Sequence, residues 1–330
     1  MLLYVDINDA CHLRCGTCPR GVRAFPNSNR MMSLGTFRQI VRKGLHDGAY
    51  QVGLFNWVEP FLIPRLDDYT QIVKSFGLRC EIASTLSLRK IDRLVETLAN
   101  VDLLWVTMSG YSQAVYEVNH AGGRIEDVFA HLESIAAARR EGRIATQVLL
   151  RYLMFDYNRD EMPLMRDFAE ERGFRFEVLL GSGHPVHMRA SDKREAEIAA
   201  ALAAYNASRY FEPAGTVCPL IFEHVPVNAD GDVYQCSAHG YHPQLRIGSY
   251  LDLGREEILM RRYMQPFCNS CDWARRAITE TERLLLRQAL EARMGNVVTD
   301  RVARLSGPDA QMRLTEDGYQ LPKDGRPPLR

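Results

Sequence analysis

Short apolar runs alternate with longer stretches whose apolar residues recur every three to four positions along the first 210 residues. Leu2 to Asn8 is a mostly apolar run. It is followed by Ser33 to His46, where Leu34, Phe37, Ile40, Val41 and Leu45 share one side and Ser33 stands as a helix cap. The rhythm then recurs. Strand-like Tyr50 to Phe55 precedes helix-like Asp67 to Phe76, and Leu78 to Ala83 precedes Ser87 to Ala99. Val101 to Met108 precedes Ser112 to Glu141, which Gly122 and Gly123 interrupt. Thr146 to Phe155 with Arg159 to Arg172, then Phe174 to Leu180 with Ser191 to Ser208, complete six pairs. Strands alternating with helices predict a parallel sheet flanked by helices. A closed eight-unit barrel takes about 250 residues, more than this stretch supplies. The expected fold class is therefore α/β, a partial (β/α)6 TIM barrel.

The pattern changes after Ser208. Phe222 to Val227 reads as a strand, Asn228 to Gly231 as a turn and Asp232 to Cys236 as a second strand, a hairpin signal. A helix is expected over roughly Arg255 to Met264. Thr279 to Met294 is helix-forming, with Leu284, Leu285, Leu286, Ala289 and Leu290 on an apolar side, and from Ser306 the chain is polar with Gly and several Pro. The expected organisation is a barrel over 1–210, a small domain over 211–275, and a helix with a loose tail over 276–330.

Composition narrows the function. Lys plus Arg and Asp plus Glu both number 41, so no global charge favours nucleic acid or a membrane surface. No apolar run approaches the ~20 residues that cross a bilayer. The opening MLLYVDIND lacks the features of a secretory signal and leaves no room for an N-terminal accessory module, so the cytoplasm is the expected location. Seven of the eight cysteines fall in two groups, 11/15/18 and 218/236/268/271, which read as three ligands plus four rather than as disulfides. Cys80 stands apart and reads as a small buried apolar residue.

The first group lies in Asp9 to Cys18, DACHLRCGTC, a C-x3-C-x2-C array. Three thiolates hold three irons of a [4Fe–4S] cube and leave the fourth iron to a non-protein ligand. A zinc knuckle or a redox dithiol is the plainer alternative for the C-x2-C part. The whole array resembles the signature of the radical S-adenosylmethionine (SAM) superfamily. That resemblance implies that Cys11, Cys15 and Cys18 bind the cluster and that the open iron chelates SAM. It further implies one-electron cleavage of SAM to a 5′-deoxyadenosyl radical, hydrogen abstraction from substrate, and a reducing partner such as flavodoxin or ferredoxin. The cofactors then carry the hard chemistry. One position departs from the pattern: many members have an aromatic residue before the third cysteine, and this chain has Thr17.

In parallel β/α folds ligands gather at the C-terminal ends of strands. Phe55 to Pro60, FNWVEP, resembles the family's Gly-Gly-Glu-Pro segment with Trp57 and Val58 for the glycines. The resemblance makes Glu59 the candidate holder of the SAM amino group; a solvated loop acid is the plainer reading. Ser84, ending the third strand, and Ser109, ending the fourth, are candidate SAM contacts by the same resemblance, and both also suit ordinary turns. Arg151 sits inside the apolar run LLRYLMF, and a buried guanidinium needs an anion. The resemblance offers the SAM carboxylate; a barrel Asp or Glu is the alternative. After the sixth strand, His184, His187 and Arg189 are candidate substrate contacts in a turn-rich loop, or exposed loop residues.

The second group, Cys218, Cys236, Cys268 and Cys271, is able to close one metal site, with zinc or iron–sulfur equally permitted by thiolate chemistry. Its arrangement resembles the twitch domain, the shortened form of the SPASM domain, which implies one auxiliary [4Fe–4S] cluster. A closed cluster accepts an electron from a substrate radical and so permits net oxidation. The plan is similar to sugar- and aminocyclitol-modifying members of the superfamily. An oxidoreductase or carbon–carbon lyase acting on a sugar, aminocyclitol or sugar nucleoside is therefore expected, by oxidation, epimerisation or decarboxylation. A peptide-modifying maturase and a non-enzymatic zinc-stabilised binding protein are the alternatives.

Overall fold

The structure is a computed structural model that describes residues 1–18, 20–21, 27–180, 219–263, 265, 313–315 and 318–320. From β1 to β6 strands and helices alternate as the pattern predicts, while the helices expected over 191–208 and 279–294 lie outside the described residues. In order they are β1 (Leu2–Val5), α1 (Leu34–His46), β2 (Gln51–Gly53), α2 (Leu66–Ser75), β3 (Arg79–Ser84), α3 (Leu94–Leu98) and β4 (Leu103–Met108). There follow α4 (Gln113–Asn119), α5 (Ile125–Arg140), β5 (Gln147–Met154), α6 (Met162–Glu171) and β6 (Arg175–Leu180). Neighbouring strands from β1 to β6 pair in parallel, which with the intervening helices makes a partial β/α barrel.

Alternation along each strand separates two environments. Leu3, Val5, Val52, Ile82, Leu104, Val106, Leu150 and Tyr152 point to the helices and form the core with Phe37, Ile40, Ile72, Val128, Leu132 and Met165. Their neighbours Glu81, Trp105, Arg151 and Glu177 lie on the other, inward face. The break expected near Gly122 is present, with that glycine at φ +88° between α4 and α5.

Two local expectations change. The helix expected from Ser87 begins only at Leu94, because Leu86 and Arg93 adopt left-handed backbone angles of 53° and 54° and bracket a non-helical segment. The strand expected from Phe222 begins at His224, since Pro219–Glu223 (α7) is helical. Strand β7 (His224–Val227) then lies parallel to β1 along all four residues of each, and β8 (Asp232–Tyr234) and β9 (Arg246–Ser249) extend the sheet antiparallel. The sheet order is β6-β5-β4-β3-β2-β1-β7-β8-β9, with β10 (Arg313–Thr315) and β11 (Gly318–Gln320) as a separate hairpin. Helix α8 (Arg255–Tyr263) is tied to the β7–β8 hairpin through Arg262, whose buried guanidinium donates to the carbonyls of Leu220, Ile221 and Gln235. No helix among the described residues is long and apolar enough to cross a membrane.

Candidate functional site

The cysteine loop leaves the C-terminal end of β1 and is held mainly through its backbone. Asn8 Nδ2 donates to the Glu59 carbonyl at 2.9 Å and the Glu59 N–H to the Ala10 carbonyl at 3.0 Å, so the loops after β1 and β2 are one unit. Asp9 accepts from Arg20 Nη2, Arg30 Nη2 and Ser28 Oγ, each at 2.7 Å. On the other side Arg14 N–H donates to the Ala121 carbonyl at 2.9 Å and Gly16 N–H to that of Asn119 at 3.1 Å. Thr17, where the resemblance led one to expect an aromatic ring, donates to Asn119 Oδ1 at 3.0 Å. Gly21 closes the turn: a Cβ there would lie 2.2 Å from the Cys15 carbonyl oxygen.

Cys11, Cys15 and Cys18 form no disulfide and are partly buried. Burial, then the charge of Glu59, pushes Cys11 up to about 12. Burial, then the charges of Cys18 and Cys11, pushes Cys15 up as well. An enclosed trio that resists ionisation and repels itself when ionised needs a cationic centre to become thiolate. Three free thiols on one short loop, which Gly21 turns tightly, are the donor chemistry of a cluster that leaves one iron open. Two buried polar atoms without partners among the described residues belong to the strand end and the loop itself: Asp6 Oδ1 and His12 Nδ1. Buried polar atoms are normally paired, so the surroundings too fit a polar group bound there.

Glu59 is fully buried, and burial raises its pKa. Its carboxylate accepts from Ser84 Oγ at 2.8 Å, Phe61 N–H at 3.2 Å, Thr85 N–H at 3.1 Å and Thr85 Oγ1 at 3.2 Å, which fills its acceptor positions. Two of the residues singled out in the sequence, Glu59 and Ser84, are thus bonded to each other and pin the β2 loop to the end of β3. Ser109 turns toward α4. Its hydroxyl lies 2.5 Å from His120 Nδ1 and 3.2 Å from the Tyr116 carbonyl, and burial alone lowers His120 to about 3.

Arg151 belongs to a separate cluster on the inward face. Its guanidinium lies 4.2 Å from the Trp105 ring centre and bonds Glu177 Oε2 through Nε and Nη2 at 3.3 and 3.2 Å. Trp105 Nε1 donates to Glu81 Oε2 at 3.0 Å, so Glu81, Trp105, Arg151 and Glu177 form a ladder across β3 to β6. The anion that meets Arg151 among the described residues is therefore a barrel glutamate.

Sequence reasoning passed over Asp6, which is fully buried at the end of β1. It accepts from Tyr241 Oη at 2.6 Å and Trp57 N–H at 3.0 Å, and its carboxyl is pushed up to about 6 mainly by burial. An acid ending an apolar strand is the signal that would have found it. Of the second cysteine group, Cys236 lies buried just after β8. Cys218, Cys268 and Cys271, and the loop residues His184, His187 and Arg189, lie outside the described residues.

No protein-family model matches the chain, and no curated protein matches it. Solved structures do. SuiB of Streptococcus suis bound to S-adenosylmethionine superposes with a TM-score of 0.61 at 15% identity, over 83% of this chain and 71% of SuiB. The form of SuiB bound to its precursor peptide SuiA gives 0.61 at 14% identity, over 83% of this chain and 70% of SuiB. A polyhistidine-tagged anSMEcpe with bound AdoMet gives 0.52 at 12% identity, over 92% and 94% of the two chains. Likeness at such low identity establishes a shared fold.

Proposed function

We propose that the protein is a radical SAM enzyme, in which a [4Fe–4S] cluster on Cys11, Cys15 and Cys18 and its bound SAM supply a 5′-deoxyadenosyl radical that takes a carbon-bound hydrogen from a small hydroxylated substrate. The observation that carries this reading is the three-thiol loop at the C-terminal end of β1, with the unpaired buried polar atoms of Asp6 and His12, in a fold shared with proteins solved with SAM. Glu59 and Ser84 act as positioning residues that fix the β2 loop beside the cysteines. Ser109 does the same for α4 through His120.

The ladder on the inward face is the substrate platform. Arg151 gives one N–H each from Nε and Nη2 to Glu177, which leaves the second Nη2 hydrogen and both on Nη1 to donate to a hydroxyl or carboxylate. Glu81 and Glu177 are matching acceptors for hydroxyl or amino groups. A sugar, aminocyclitol or sugar nucleoside suits this mixture, with oxidation, epimerisation or decarboxylation as the net reaction. The loop with His184, His187 and Arg189 contributes further substrate contacts.

Cys218, Cys236, Cys268 and Cys271 hold an auxiliary [4Fe–4S] cluster in a twitch-type domain. Arg262 supports this reading: it ties together Leu220, Ile221 and Gln235, so chain segments close in sequence to Cys218, Cys236 and Cys268 meet at one side chain. Such a cluster would supply an electron acceptor for a net oxidation, and flavodoxin or ferredoxin would supply the reductant in the cytoplasm. A peptide substrate is the second reading, favoured by the fold shared with SuiB, solved with its precursor peptide.

Deuterium transfer decides between them. With a panel of sugars, aminocyclitols and sugar nucleosides deuterated at the reacting carbon, label is expected in 5′-deoxyadenosine in proportion to product, with carbon dioxide released where the substrate is a sugar acid. If every such compound leaves SAM cleavage at background while a peptide stimulates it and gains a crosslink, the peptide reading replaces this one.

A further inference from the structure

Tyr241 lies between β8 and β9, in the stretch that follows Cys236, yet its hydroxyl donates at 2.6 Å to Asp6 at the root of the cysteine loop. Both residues are buried, Asp6 completely, and the phenol packs on Tyr234 with ring centres 4.6 Å apart. The Asn56 side chain bonds the same phenol. A second tie joins the same segments, since Trp57 Nε1 donates to the His239 carbonyl at 3.1 Å.

From Asp6 an unbroken run of hydrogen bonds leads to the cysteines. The oxygen that accepts from Tyr241 also accepts from Trp57 N–H at 3.0 Å. The Trp57 carbonyl accepts from Arg20 Nε at 2.5 Å, and Arg20 goes on to the Asp9 carbonyl at 3.1 Å and the Asp9 carboxylate at 2.7 Å. The N–H groups of Arg20 and Gly21 bond the Cys18 sulfur. Asn27 accepts from Arg20 Nη1 at 3.1 Å and bonds both the N–H and the carbonyl of Cys11. One other side chain reaches from the β7–β8 turn toward this loop: Arg30 joins Asp230 to Asp9 at 2.6 and 2.7 Å, but it is 57% exposed and water screens its pairs. The buried bond of Tyr241 is the stronger tie.

We propose that Tyr241 is a positioning residue for the cysteine loop: through Asp6, Trp57 and Arg20 it fixes the backbone around Cys18, so the C-terminal segment that carries Cys236 helps to build the first site. A buried carboxylate that loses a donor disturbs the bonds it still makes, because such networks hold as a unit. The consequence for SAM rests on the reading of that loop as a cluster site, whereas the hold on the loop does not.

The test is Tyr241→Phe set against Tyr250→Phe. Tyr250 donates to buried Asp47 at 3.1 Å, so it too ties the C-terminal segment to the barrel, but its bond ends at the C-terminal cap of α1 rather than at the cysteine loop. In metal-free protein, alkylation of each cysteine is followed by mass spectrometry. Cys80 has no exposed surface in the core and reports global opening. Tyr241→Phe is expected to speed labelling of Cys11 and Cys18 several-fold relative to Cys80, and Tyr250→Phe to leave that ratio at the parent's value. In iron-loaded protein, Tyr241→Phe is expected to raise the Kd for SAM by about 5-fold or more, read from the change SAM makes in the electron paramagnetic resonance signal of the reduced cluster. Asp6→Asn weakens the same bond from its other end and takes over both measurements should Tyr241→Phe not fold. An unchanged labelling ratio overturns the proposal, as does an equal change in Tyr250→Phe or an unmoved Kd for SAM in loaded protein. A parent that binds no iron fails the cluster reading instead, and labelling of the metal-free protein still decides whether Tyr241 holds the loop.

Discussion

The cysteine loop and the inward-facing ladder sit at neighbouring strand ends and inner faces of one barrel, yet they treat charge in opposite ways. Around the loop the charged groups are consumed by the protein: Asp9 holds two arginines and Glu59 four donors, while Asp6 takes two donors and keeps one oxygen unpaired. Along the ladder the two glutamates are buried, but the Arg151 side chain is 26% exposed with two of its nitrogens on one glutamate oxygen. A site that neutralises its own charges leaves the sulfurs as its free ligands, which suits a cluster. A site that keeps a cationic donor open suits exchange with a polar substrate. The two should therefore fail differently.

Gly21→Val is expected to have the largest effect, because a Cβ at position 21 would come within 2.2 Å of the Cys15 carbonyl and the loop must open. Iron bound at that loop and SAM cleavage should both be lost while far-ultraviolet circular dichroism changes little; an iron content equal to the parent would contradict the tight loop. Arg151→Leu should spare iron and substrate-free SAM cleavage but lower kcat/KM for a polar substrate. A charge-assisted hydrogen bond of about 1.5–3 kcal/mol corresponds to roughly 10- to 100-fold. Equal loss of both activities in that variant would erase the distinction between the two regions.

Ser84→Ala removes one donor from the buried Glu59 carboxylate and should cost about 1–3 kcal/mol, read in denaturant unfolding of metal-free protein. The smallest effect concerns His120, held neutral at about 3 by burial. The unfolded chain takes up a proton near pH 6.5 and the folded one does not, so stability is complete above that value and falls as pH drops toward 3. At pH 6 the loss is on the order of 1 kcal/mol. His120→Gln should flatten this part of the pH profile, and an unchanged slope would show that another group sets it.

What the sequence made legible was local. The β/α rhythm is a matter of residue spacing within each element, and the cysteine array of three ligands lies on one loop, so both could be read without knowing what packs against them. Partners across the fold were another matter. Arg151 was recognised as a buried cation, but Glu177 lies on the next strand and Trp105 on the previous one, and nothing in LLRYLMF chooses them over a ligand. Asp6 closes an apolar strand and invited the same argument as Arg151. Tyr116 and His120 look like ordinary members of an interrupted helix, and only their stacking and burial mark them. The parallel pairing of β7 with β1 joins residues more than 200 positions apart, for which four-residue strands carry no local signal.

The central claim is that Cys11, Cys15 and Cys18 hold a SAM-cleaving cluster. Its most direct test is 5′-deoxyadenosine formation by anaerobically reconstituted protein given SAM and dithionite, in the parent, in the Cys11→Ala/Cys15→Ala/Cys18→Ala variant and in the Cys268→Ala/Cys271→Ala variant. The expected outcome is that the parent makes 5′-deoxyadenosine, that the first variant makes none while keeping about half the iron, and that the second retains cleavage. Cleavage that persists without the three loop cysteines, or a parent that binds no iron and makes no 5′-deoxyadenosine, would contradict it.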